Sequence, residues 1–144
     1  LDSVAEWNRI YGPRGFLQYQ FVVPLAQGVE AVREILQRIA RASTGSFLAV
    51  LKIFGERGSP GWLSFPQPGV TLALDFPNAG TKTFDLLAGL DGVVREANGR
   101  LYPAKDARMS GTDFRNAYPM WHELEALRDP RIDSSFWRRV REEH

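Results

Sequence analysis

The sequence predicts an α+β fold with a ferredoxin-like βαββαβ core, in which an antiparallel sheet carries both helices on one face and a C-terminal helical extension follows. Two observations predict it. Apolar periodicity between Phe16 and Tyr102 switches from strand-like to helix-like and back in the order β, α, β, β, α, β, and Gly or Pro marks most of the boundaries. At 144 residues the chain is one ordinary domain, long enough to bury a core.

Val4, Trp7 and Tyr11 recur at helical spacing until Gly12, Pro13 and Gly15 stop the pattern, so a short lead-in helix is expected over Asp2–Tyr11. Phe16–Val23 is rich in aromatic and β-branched residues, ends at Pro24, and reads as the first strand. The first core helix should bury Val29, Val32, Leu36 and Ile39 and end near Thr44 and Gly45. Phe47–Phe54 is the second strand, Gly55–Gly69 a long Gly- and Pro-rich loop, and Val70–Phe76 the third strand. A second helix carries the stripe Phe84, Leu87, Leu90, Val94 and Ala97, with Gly99 expected as its C-terminal cap before a short strand through Leu101 and Tyr102. Asp106–Arg128 reads as mostly helical, interrupted at Pro119, with Trp121, Leu124 and Leu127 as its apolar stripe. The tail from Asp129 to His144 is charged and is expected to clamp onto another surface, one that the sequence does not specify.

Composition removes several function classes. With 18 basic and 17 acidic residues the net charge is +1, so no broad field draws nucleic acid or an anionic membrane to the surface. Cysteine is absent, which excludes a disulfide framework, a thiolate nucleophile and sulfur-based zinc sites. Two histidines, His122 and His144, are too few for a histidine metal cluster, and His122 on a helix is given no role. No apolar run approaches a membrane span, nor does the N-terminus read as a secretory signal, so a cytoplasmic location is expected. The chain opens at Leu1 without an initiator Met, as expected of a domain cut from a longer polypeptide.

Alternation along strands sorts their side chains into two faces. Leu17, Tyr19, Phe21 and Val23, then Phe47, Ala49, Leu51 and Ile53, then Val70, Leu72, Leu74 and Phe76 form an apolar face expected under the helices. The opposite face receives Gln18, Gln20 and Val22, then Leu48, Val50, Lys52 and Phe54, then Thr71, Ala73 and Asp75. Apolar walls with a few orienting polar groups suit a ligand, and two amides beside an ammonium suit neutral hydroxyls. A C-terminal helix folded across this face explains the same composition equally well.

The segments Phe16-Leu17-Gln18-Tyr19-Gln20-Phe21-Val22-Val23-Pro24, Phe47-Leu48-Ala49-Val50-Leu51-Lys52, Leu63-Ser64-Phe65-Pro66, Asp75-Phe76-Pro77 and Leu101-Tyr102-Pro103-Ala104-Lys105-Asp106-Ala107-Arg108 follow one another along the chain from Phe16 to Arg108. In this order they resemble the FAD-linked oxidases of the vanillyl-alcohol oxidase superfamily, in the branch that acts on sugars and sugar lactones. The resemblance implies that residues 1–144 are the substrate (cap) domain of an FAD-dependent oxidoreductase, inactive alone, whose partner is an N-terminal FAD-binding domain of the same polypeptide. It implies oxidation of a secondary alcohol of a sugar-type small molecule to a ketone, with hydride passing to flavin. By motif position, Lys105 lies beside flavin and substrate, and Tyr102 walls the cofactor site. Gln18, Gln20, Lys52, Phe54 and Thr71 line the substrate pocket, and Leu48 and Val50 form its apolar side. Lys105 is then the residue that tunes the cofactor, and Lys52 contacts the substrate hydroxyl. Thr71 and Ala73 replace a larger amide side chain and a thiol of the family pattern, so the pocket shape should differ.

Two other classes share the topology. An RNA-recognition module requires a basic-Gly-aromatic pattern on the third strand, which Val70–Phe76 lacks. A free-standing ferredoxin-like domain that binds a metabolite or a protein is the alternative to the oxidoreductase reading.

Overall fold

Eight residues, Phe16–Val23, form the central strand β1, as their aromatic and β-branched content predicts. The structure is a computed structural model that describes Glu6, Arg9 and residues 12–46, 48–105 and 108–141. The lead-in helix expected over Asp2–Tyr11 lies, but for Glu6 and Arg9, outside the described residues, as do Phe47, Asp106, Ala107 and His144. After β1 come α1 (Leu25–Arg41), β2 (Ala49–Phe54), β3 (Gly69–Pro77), α2 (Thr81–Glu96) and β4 (Arg100–Leu101). A 3-10 turn, Pro103–Lys105, leads to three short helices, α3 (Gly111–Ala117), α4 (Trp121–Leu127) and α5 (Ser135–Arg141). The sheet runs β2-β3-β1-β4 with every neighbouring pair antiparallel, which is the predicted ferredoxin-like arrangement.

The register agrees with the sorting of faces: Leu74 of β3 pairs with Tyr19 on one side and Ala49 on the other, Leu72 with Phe21 and Leu51, and Ala73 with Gln20 and Val50. Burial agrees only in part. Phe21, Val23, Phe76, Ile35 and Leu90 are fully enclosed between sheet and helices. Leu51 and Ile53 on the same face of β2 are 61% and 70% exposed, and Ala49 is exposed too. The reason is the reach of the helical layer: α1 packs on β3 and β1, and α2 on β1 and β4, so the edge strand β2 lies beyond it.

Helix α1 is also rotated from its expected setting. It buries Gly28, Ala31, Ile35 and Ile39, and leaves Val29 and Leu36 exposed. A Cβ at Gly28 would stand 2.7 Å from Val70 Cγ2, so the helix comes close to β3 through its smallest side chains. In α2, Leu87, Leu90 and Val94 are buried as predicted, whereas Phe84 is exposed. The C-terminal cap is one residue earlier than predicted. Asn98 takes the left-handed conformation at φ 54°, its N–H bonds Arg95 O, and Gly99 N–H bonds Val94 O at 2.8 Å. Gly99 is needed for space instead, since a Cβ there would meet Val22 O at 2.6 Å.

The predicted helical stretch before Arg128 is two helices parted at Tyr118-Pro119-Met120. The expected stripe of α4 stays largely outside the core, with Leu127 74% exposed. The tail does clamp, through α5 on α3: the Phe114 ring meets Phe136 edge-on at 5.5 Å and Trp137 at 5.8 Å. Glu125 of α4 locks this contact by accepting bonds from Arg128, Arg141 and the Trp137 indole N–H. Among the described residues no helix is long and apolar enough to cross a membrane.

The core and edge positions should separate cleanly under urea denaturation. Leu72→Ala is expected to cost about 2–5 kcal/mol, whereas Leu51→Thr, on the same face but exposed, should stay within about 0.5 kcal/mol of wild type. Bonds from Arg128 first, then Trp137, hold the Glu125 carboxyl down to about 2. A depressed carboxylate stabilises above its unfolded value and loses that contribution as pH falls toward its folded value. Trp137 fluorescence should therefore report a docked α5 at pH 4.5 and its release only as pH approaches 2. Release centred near the ordinary glutamate value would contradict the clamp.

Candidate functional site

The helix-free face of the sheet is built in rows across the strands. Gln18 stands opposite Asp75; Gln20 opposite Ala73, which faces Val50; and Val22 opposite Thr71, which faces Lys52. Tyr102 N–H donates to Gln20 O at 2.9 Å, which brings Tyr102 in beside Gln20, and Arg100 pairs with Val22 in the next row. Phe54 closes the series opposite Gly69, where a Cβ would stand 2.1 Å from Val23 O, so only glycine fits.

The Gln20 row is open, whereas Asp75 in the Gln18 row is 3% exposed and the Val22 end is closed. Gln18, Gln20, Val50, Ala73 and Tyr102 are half-buried, while Leu48 and Lys52 are exposed. Thr71 is 1% exposed, and its hydroxyl accepts a bond from Gln20 Nε2 at 3.2 Å. Thr71 therefore sets the pose of the Gln20 amide from beneath. The closure comes from the β2–β3 loop, which crosses the sheet. Phe65 stacks on Tyr102 with ring centres 4.5 Å apart, meets Phe54 edge-on at 6.0 Å, and Arg100 donates to Ser64 O at 3.2 Å. The C-terminal helices do not take this place: α3 packs on β4 and α5 on α3, at the edge of the sheet.

Because β4 is only two residues long, the chain turns away at Pro103 and leaves a notch beside the first half of β1. This small cavity, about 20 Å³, opens at the sheet edge, where Gln18, Gln20, Tyr102 and Lys105 border it together with Tyr19, Leu87 and Arg108 from the core side. Lys105 is exposed and its backbone N–H bonds Tyr102 O at 3.0 Å. The structure thus gathers Gln18, Gln20, Tyr102 and Lys105 at the β4 side. Lys52 belongs to the far edge strand. Three strand spacings separate β2 from β4, about 14 Å at the backbone. Three larger cavities, a polar one of about 380 Å³ between α2 and α3, an apolar one of about 630 Å³ between α1 and β2 and one of about 410 Å³ beside Ser46 and Pro77, are bordered by none of the predicted site residues.

Two features were missed by sequence reasoning. Phe65 was one residue of a motif with no role attached, although an aromatic inside a Gly- and Pro-rich loop was a signal that the loop lies on something. The other is an ionic cluster behind the notch. Arg108 donates to both carboxylate oxygens of Asp91, at 2.7 and 2.9 Å, and Tyr19 Oη–H donates to Oδ1 at 2.9 Å. Burial raises the Asp91 carboxyl above its ordinary range, with the Arg108 bonds opposing it, and burial followed by the Asp91 charge pushes the Tyr19 phenol well up. The signal for this cluster was Asp91 beside Leu87 and Leu90, a charge inside the apolar stripe of α2.

The fold defines a class: an α+β domain whose antiparallel sheet has one helix-covered face and one helix-free face that carries amides, an aromatic and a lysine. No family model matches the chain. The chain resembles the decaprenylphosphoryl-β-D-ribose oxidase of Mycolicibacterium smegmatis, to which it is 46% identical over 134 residues, 90% of this chain and 28% of the relative. It is also 38% identical over 104 residues, 70% of this chain and 28% of the relative, to a Streptomyces coelicolor protein described as an uncharacterised protein in the mprA 5′ region. The chain therefore spans a little over a quarter of the length of the curated relatives it matches.

Proposed function

We propose that the chain is the substrate-side domain of an FAD-dependent oxidoreductase that oxidises a secondary alcohol of a sugar, sugar lactone or polyol. The observation that carries this reading is the meeting of Gln18, Gln20, Tyr102 and Lys105 around one notch at the β4-side edge of β1, in a chain 46% identical to an oxidase. A partner domain of the same polypeptide would hold most of the FAD.

The residues present fit such a cofactor. An exposed ammonium beside a half-buried aromatic and two amides is a donor set suited to a flat ring that gains negative charge. FAD, when bound, would supply the two-electron acceptor. Lys105 would place its charge where negative charge develops, and Tyr102, braced by Phe65, would wall the ring. Gln18 and Gln20 each offer a donor and an acceptor to substrate hydroxyls, and the Thr71 bond fixes which way Gln20 points. Leu48, Val50 and Phe54 would exclude water along the apolar side. Lys52, on the opposite edge strand, would reach a substrate hydroxyl remote from Lys105, so the two lysines have separate tasks.

In the full-length polypeptide, stopped-flow mixing with sugar alcohols, sugar lactones and ribosyl phospholipids should bleach the flavin with one of these classes. Lys105→Ala is expected to slow that bleaching by about 10²–10³-fold while FAD stays bound. A full-length protein that carries no flavin would instead leave a free-standing small-molecule or interaction domain as the reading.

A further inference from the structure

Lys105 is anchored on both sides, by Tyr102 before it and Arg108 after it, and the two anchors differ in kind. Tyr102 is tied to β1 by its N–H bond to Gln20 O, and its ring is stacked on Phe65. Arg108 grips Asp91 of α2 with two bonds, and Met109, 1% exposed, accepts a bond from Arg139 through its carbonyl at 3.1 Å. Asp91 is 6% exposed, and it also accepts a bond from Tyr19, the residue between Gln18 and Gln20. A single carboxylate therefore connects the middle of a core helix, the strand that carries both site glutamines, and the turn that carries the site lysine.

This placement is costly unless geometry matters. A buried ion pair is weak evidence for net stability, because removing both charges from water offsets most of their attraction, whereas a bidentate Arg–carboxylate pair fixes distance and direction together. Lysine cannot reproduce that fork. Resting on the proposed oxidoreductase reading, we infer that Asp91 and Arg108 are positioning residues: their pair, with Tyr19, sets the height of the Lys105 ammonium over the Gln18–Gln20 edge of the sheet. Arg108 borders the notch but directs its guanidinium to Asp91, which lies behind it, so both act through Lys105.

The test is a double-mutant cycle in the full-length polypeptide, read as the limiting rate of flavin reduction and the substrate dissociation constant. Arg108→Lys and Asp91→Asn should each lower the limiting rate by about 10- to 100-fold, with substrate affinity moved by less than about threefold. In a Lys105→Ala background neither should lower it further, since the group they position is gone. Hydrogen exchange of the same variants should show lost protection at Tyr102 and Lys105 with β2 and β3 unchanged. Losses that add to that of Lys105→Ala, or single variants with wild-type rates and exchange, would overturn the inference. If Lys105→Ala itself has no effect on reduction, the functional reading fails, and the positional claim stands or falls on the exchange data alone.

Discussion

Strand β1 has hydrogen-bonded partners on both sides, and the strict alternation of its side chains divides the molecule into a core and a working face. Tyr19, Phe21 and Val23 point into the layer under α1 and α2; Gln18 and Gln20 point the other way. A slip of one residue in its pairing would put both amides into the core and the aromatics into water. Burial of Phe21 and Val23 therefore specifies the position of Gln18 and Gln20 as firmly as it specifies the fold.

The rest of the site follows from two irregular connections. The β2–β3 loop is long enough to cross the sheet and lay Phe65 between Phe54 and Tyr102, closing one end of the face. Strand β4 stops after two residues, so the chain folds over the free edge of β1 and brings the Lys105 turn to the amides. The Asp91–Arg108–Tyr19 cluster ties that turn back to the core. A regular scaffold thus supplies the amides, and loops anchored to it supply the aromatic and the cation.

What alternation and punctuation control was legible in the sequence. Phe16–Val23 was read with its observed bounds, and the residues placed together on each face are the ones that pair across the sheet. What depends on how far one layer reaches over another was not. Nothing in the alternation of Leu51 and Ile53 shows that α1 stops short of them, and the wide apolar arc of α1 did not reveal that Gly28 and Ala31 would be pressed to the sheet rather than Val29 and Leu36. The cap of α2 was misplaced because Gly is the usual left-handed residue, while here Asn98 takes that conformation and Gly99 is held by crowding. Lys105 drew attention only through its motif; its closeness to Gln18 and Gln20 comes from a turn no periodicity encodes.

The central claim is that the helix-free face, at its Lys105 end, is where a flavin lies. A structure of the full-length polypeptide with FAD bound tests it most directly. The account predicts the Lys105 ammonium within hydrogen-bond reach, about 3 Å, of the pyrimidine end of the flavin ring, with Tyr102 alongside and the ring covering Gln18 and Gln20. A flavin seated on the α1–α2 side, or one separated from Lys105 by the width of the sheet, would contradict it.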